Sequence, residues 1–142
     1  MKVNSKIFLF LILFLISCQG VRSIYEKRLN VDKSDINSVS LLEKTKLNNN
    51  QSIIYFCESF DNKLQIEVNG KIVFDRKLKT IEQLGYAGSC IVENDKDVSI
   101  IVDNKKYIKL NSEKLPKYKF IYVAKNKRNY KIEYTNKAKS FR

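Results

Sequence analysis

The strongest local constraint in this chain is the dipeptide Asn69-Gly70, set after a run of alternating side chains. Leu64, Ile66 and Val68 alternate with Gln65, Glu67 and Asn69. That two-residue period puts the apolar set on one face of a strand. Asn-Gly accepts the positive φ that both central residues of a type I′ turn require, so the chain reverses there into a hairpin. Residues 71–75 return as the partner strand, with Ile66 facing Val73. Residues 52–58 (Ser-Ile-Ile-Tyr-Phe-Cys-Glu) are apolar on both faces until Glu58 and predict a central strand covered on both sides. Further β-branched and aromatic runs lie at 89–93, 98–103, 105–110, 117–125 and 130–134. Turn-forming stretches such as Asn94-Asp95-Lys96-Asp97 and Asn126-Lys127-Arg128-Asn129 separate them. About seven to eight short strands predict an all-β fold, a small antiparallel β-sandwich over residues 52–142, in preference to a closed barrel.

Two stretches read differently. In the connection 76–88, Leu78, Ile81 and Leu84 suggest a helical turn, and the glycines at 85 and 88 lack the spacing and the following Lys-Ser/Thr of a phosphate-binding loop. Residues 18–51 are polar and read as a flexible tether. As a coil it would span roughly 30 Å. Within it Ser34-Asp35 can cap a short helix through about Lys46, with Ile36, Val39 and Leu42 at three-residue spacing.

The first residues have a separate logic. Lys2 and Lys6 precede ten consecutive apolar residues, 7–16. That run is too short to span a bilayer, which takes about 20 residues, but it fits the core of a secretion signal. It ends in Leu15-Ile16-Ser17-Cys18. This segment resembles the lipobox of bacterial lipoprotein precursors. The resemblance covers residues 1–18 and implies that 1–17 are removed and that Cys18 becomes a diacylglyceryl-modified N-terminus. Two or more acyl chains anchor a protein stably. Gln19, which is not Asp, carries no inner-membrane retention signal of the enterobacterial kind. The expected location is therefore a bacterial cell envelope, on the periplasmic or surface face of an outer membrane.

The sequence contains no histidine and three cysteines. Without histidine the usual general base near neutrality is missing, as are Cys-His and Ser-His dyads. With Cys18 acylated, Cys57 and Cys90 remain. In an oxidising compartment such a pair reads as a disulfide, worth about 3–4 kcal/mol. No cofactor or metal is expected. Glu93, Asp95 and Asp97 are spaced along a turn, but Lys96 interrupts them and the pattern of a calcium loop is missing.

Charge is distributed unevenly. The chain carries +12 overall. Residues 18–103 sum to −1 and residues 104–142 to +11. Such asymmetry points to an anionic partner. The candidate anion-binding residues are Lys117, Lys119, Lys125, Lys127, Arg128, Lys131, Lys137, Lys139 and Arg142, expected to form one continuous patch. Alternation sets Tyr118, Phe120 and Tyr122 on the opposite face from Lys117, Lys119 and Lys125. Aromatic rings beside cations suit sugar-phosphate polymers or single-stranded nucleic acid. In an envelope the available anions are head groups, lipopolysaccharide phosphates or an acidic protein, and no nucleic acid is expected in vivo.

The reading that follows is a lipid-anchored, non-catalytic envelope binding or assembly module. At the level of architecture it is similar to the small β-sandwich lipoproteins that dock envelope machines, such as type VI secretion complexes. The alternative is a glycan-acting envelope enzyme, which would need a carboxylate pair such as Glu67 and Glu93 brought together in a cleft. A lysozyme inhibitor is disfavoured, because both partners would be cationic.

Overall fold

The computed structural model describes residues 20–141. Nine strands form two packed sheets. In chain order they are β1 (Val21–Tyr25), β2 (Gln51–Phe56), β3 (Asp61–Val68), β4 (Lys71–Lys79), β5 (Gly88–Glu93), β6 (Val98–Val102), β7 (Lys106–Lys109), β8 (Phe120–Asn126) and β9 (Asn129–Thr135). One helix, α1 (Ile36–Thr45), lies between β1 and β2, and a 3-10 turn (Leu115–Lys117) precedes β8. The sheets have the orders β1-β9-β8-β2-β5 and β4-β3-β6-β7.

The β-sandwich is as expected, but it is not purely antiparallel. β2 runs parallel to β8, and β1 runs parallel to β9. Between β2 and β8 the chain visits the second sheet twice, as β3–β4 and as β6–β7, with β5 returning antiparallel beside β2 in between, so β2 and β8 enter in one direction. The Asn69-Gly70 hairpin forms with both residues at positive φ, 48° and 79°. Its register differs from the expected one. A bulge at Ile66/Glu67 places Phe74 opposite Ile66 and leaves Val73 as the extra, exposed residue.

Burial follows the strand period. β3 alternates, with Leu64 and Ile66 fully enclosed and the intervening residues outward. Those side chains meet Ile54, Phe56, Ile121, Val123 and Ile132 of the facing sheet. β2 and β8 are buried on both faces. Their second face carries Ile53, Tyr55, Phe120 and Tyr122, which α1 and the C-terminal tail cover through Leu41, Leu42, Ala138 and Phe141.

The supposed tether is therefore folded from Val21 onward. β1 extends the large sheet, and α1 forms part of a third layer. Polarity misled here because β1 is a mostly exposed edge strand and α1 buries only a narrow stripe. The helix lies close to its expected place but shows a different face: Ser38 is enclosed, whereas Ile36 is 79% exposed. Ser38 is held by hydrogen bonds rather than by hydrophobicity. Its hydroxyl donates to Asp35 and accepts from the Ala138 N–H at 2.7 Å, which ties α1 to the tail. The helical turn expected at 76–88 is confined to 81–85, where the Ile81 carbonyl accepts from the Leu84 and Gly85 N–H groups at 3.0 and 2.9 Å; Leu78 lies instead in β4, and Ile81 bridges back to Tyr86.

Cys57 and Cys90 are free thiols, not a disulfide. The β2–β5 register explains why. Ile54 is opposite Cys90 and Phe56 is opposite Gly88, so Cys57 lies three positions further along than Cys90's partner. An odd offset puts the two side chains on opposite faces. Cys90 packs into the inter-sheet core, and Cys57 packs on the outer face beside the Tyr55 cluster. Three residues at about 3.3 Å each, plus one inter-strand spacing, set the Cα atoms roughly 11 Å apart, beyond the reach of a disulfide.

Candidate functional site: a basic cleft at one end of the sandwich

One end of the sandwich is built from the turns 103–105 and 126–129, the loop 57–60 and the start of β1. Between the two sheets at this end lies a cleft of about 450 Å³. Its lining holds five cations, Lys105, Lys106, Lys125, Lys127 and Arg128, together with Asn62, Asp103 and Tyr130.

Asn62 organises the cleft floor. It is nearly fully enclosed at the start of β3. Its Oδ1 accepts from the Lys125 Nζ at 2.9 Å, and its Nδ2 donates to Asp103 Oδ2 at 2.6 Å. The other oxygen of Asp103 accepts the Lys63 N–H at 2.8 Å. The single carboxylate of the lining is thus engaged in joining β3 to the β6–β7 turn. Burial, with a smaller contribution from Asp103, pushes the Tyr130 phenol up.

The turns differ in comfort. Asp103 and Asn104 take positive φ, 51° and 55°, which short polar side chains tolerate. Lys127 takes φ 56° at the tip of the β8–β9 hairpin, where Gly or Asn is the usual occupant. A lysine there costs backbone energy, and its neighbour Arg128 adds a second exposed cation.

The nine residues singled out from the sequence do not form one patch. Lys125, Lys127 and Arg128 line the cleft. Lys119 shares the face of Lys125, as alternation requires, but that face is the inter-sheet core, and the two emerge at opposite ends of β8. Six residues separate them, roughly 20 Å. The Lys119 ammonium donates to the carbonyl oxygens of Asn48, Asn49 and Gln51 at 2.8, 2.9 and 3.1 Å. It staples the α1–β2 loop, and burial lowers its pKa. Lys131 and Lys139 converge on Glu133 at 3.8 and 2.6 Å, and Lys139 also stands over the Tyr122 ring at 4.9 Å. Lys117 and Lys137 are exposed near the end opposite the cleft. Arg142, like Cys18 and the whole leader, falls outside the described residues.

Lys105 and Lys106 were missed. They lie within the basic stretch 104–142, but only the packing of β6–β7 against β8–β9 brings them to Lys125 and Arg128. The aromatic stripe is enclosed: Tyr55 stacks on Tyr122 at 5.2 Å, and Phe141 closes over both.

The acids point elsewhere. Glu67 and Glu93 sit on the outer faces of different sheets. Glu93 pairs with Lys96 at 2.7 Å, and Asp97 pairs with Lys109 at 3.6 Å, in the turn at the far end. Among the described residues no cluster of three or more His, Cys, Asp or Glu side chains is gathered as for a metal, and no helix is long and apolar enough to cross a membrane. Compared with known proteins, the chain matches no protein-family profile, no curated protein and no solved structure.

Proposed function

We propose that this chain is a lipid-anchored, non-catalytic binding module of a bacterial cell envelope, attached through Cys18 and contacting an anionic partner through the basic cleft. The supporting observation is the cleft itself: five cations around one already engaged carboxylate. Such a lining favours a multiply charged, oxygen-rich group such as a phosphate, which accepts several N–H donors at once. Arg128 supplies a planar fork, and the lysines supply mobile point charges.

The test uses tripolyphosphate as a defined multivalent probe, with calorimetry of the mature protein at low and at physiological salt. Binding should weaken severalfold in Lys125→Gln and in Arg128→Gln. It should hold in Lys131→Gln, whose partner is Glu133. Equal binding by all three variants would remove the cleft from the function. Intact-mass analysis of the native protein reads the anchor independently, through an acylated Cys18.

A further inference from the structure

The start of β1 and the basic cleft share one end of the molecule. Val21 pairs with Tyr130 in parallel register. The Gly20 N–H donates to Asn129 Oδ1 at 3.0 Å, and the Gly20 carbonyl accepts from the Tyr130 N–H at 2.9 Å. Gly20 is thereby fixed beside the β8–β9 turn that carries Lys127 and Arg128. Cys18 precedes it by two residues, so the chain can carry the cysteine no further than about 7 Å from that point. A freely jointed tether of the length read from the sequence would have let the domain drift roughly 30 Å away in any orientation.

The densest gathering of cations lies at the same end as Gly20. The anchored end presents Lys105, Lys127 and Arg128 on exposed turns with Lys125 behind them. The far end mixes signs: Glu93 pairs with Lys96 and Asp97 with Lys109 around the turn 94–97, and Lys117 and Lys137 stand exposed there without gathering into a cleft. Turning the molecule over would withdraw the basic end from the bilayer.

We infer that the domain stands end-on on the membrane that holds it, with turns 103–105 and 126–129 seated among the phosphates of anionic phospholipid head groups. This rests on Cys18 being the lipid anchor, and it names the anionic partner as the anchoring bilayer. Each Lys or Arg close to an anionic surface adds attraction that falls off within a Debye length, about 8 Å at physiological salt. A two-residue leash keeps the cations inside that distance. Removing three of them shifts the docked-to-undocked ratio by roughly 100-fold.

The chain contains no tryptophan, so a single introduced one reports without background. The lipidated full-length mature protein is placed in vesicles whose lipids carry bromine high on the acyl chain. One reporter is Asn126→Trp, at the basic end. The other is Asp95→Trp, at the far end. In phosphatidylglycerol vesicles the first should be quenched several times more than the second. That difference should narrow severalfold in phosphatidylcholine, at about 1 M salt where the Debye length is 3 Å, and in the triple variant Lys105→Gln/Lys127→Gln/Arg128→Gln. Equal quenching of both reporters with an acylated Cys18 would overturn the end-on arrangement while leaving the anchor intact. Quenching that is the same in both lipids, or in the triple variant, would overturn the role of the cations. So would an unquenched Asn126→Trp that responds only to added lipopolysaccharide. A mature chain without an acylated Cys18 would overturn the anchor and the arrangement together.

Discussion

Lys127 and the two buried thiols show how surroundings set the behaviour of single side chains here. Lys127 occupies a left-handed conformation that a non-glycine residue enters at a cost of about 1–2 kcal/mol, partly recovered by its smaller loss of freedom on folding. Lys127→Gly should therefore raise stability by about 0.5 kcal/mol in thermal denaturation while weakening binding to tripolyphosphate. A drop in stability would show that the lysine side chain has a structural contact of its own. The thiols offer a second test. Burial pushes both Cys57 and Cys90 up to about 11, from an ordinary value of 9.0. The folded state therefore holds these protons more tightly than the unfolded chain. Their contribution to stability is complete below about pH 9 and is lost as pH rises towards 11. Burial likewise pushes Tyr55 and Tyr134 up to about 12, extending the loss further into alkali. Denaturant melts at pH 8 and pH 10.5 should show the midpoint falling. Alkylation of the non-reduced, unfolded mature protein should find Cys57 and Cys90 both free.

At the scale of elements, β1 matters most, because its attachment turns a supposed leash into structure. Its end is pinned by Glu26, whose Oε2 accepts from the Thr135 hydroxyl at 2.6 Å and from the Asn136 N–H at 2.9 Å. The Glu26 carbonyl accepts from the Tyr118 hydroxyl at 2.6 Å. Glu26→Ala should cost about 2 kcal/mol, the worth of hydrogen bonds to a charged group, and should open residues 20–26 to proteolysis. A neutral substitution would mean that the Glu26 side chain adds nothing to the attachment of β1, which its backbone pairing with β9 would then carry. Strands β3, β8 and β9 and the Asn69-Gly70 turn were legible in the sequence, because period and turn chemistry are local. β1 was not. Val-Arg-Ser-Ile-Tyr becomes a strand only because β9, more than a hundred residues later, supplies its partner. α1 was legible as a helix but not in its face, since the buried stripe centres on a serine. The disulfide failed for a similar reason: the cysteine count was visible, but strand register decided the geometry. The cleft was half legible. Lys125, Lys127 and Arg128 belong to one hairpin, whereas Lys105 and Lys106 join them only across the gap between sheets.

For the whole molecule, the arrangement yields a polarised block rather than a head on a string. The basic end is the end where the described chain begins, and the outer face of the large sheet is sealed by α1 and the tail. That seal depends on Ser38, so Ser38→Ala should destabilise the domain by about 1–3 kcal/mol and expose the ring cluster around Tyr55. The measurements are a chemical melt and the rate at which Phe141 is released by carboxypeptidase. An unchanged rate would place the tail's hold in Ala138 and Phe141 packing alone.

Pairing the first strand with the last also has a consequence for how the protein is made. Contacts separated by so much sequence slow folding, because loop closure precedes any reward. As the chain emerges amino end first, β1 has no neighbour until residues 129–135 follow it. A chain halted before Asn129 would leave β1 single and β8 with an open edge, both free to pair with other copies. The arrival of β9, rather than any local element, is thus the event that commits this sequence to its fold.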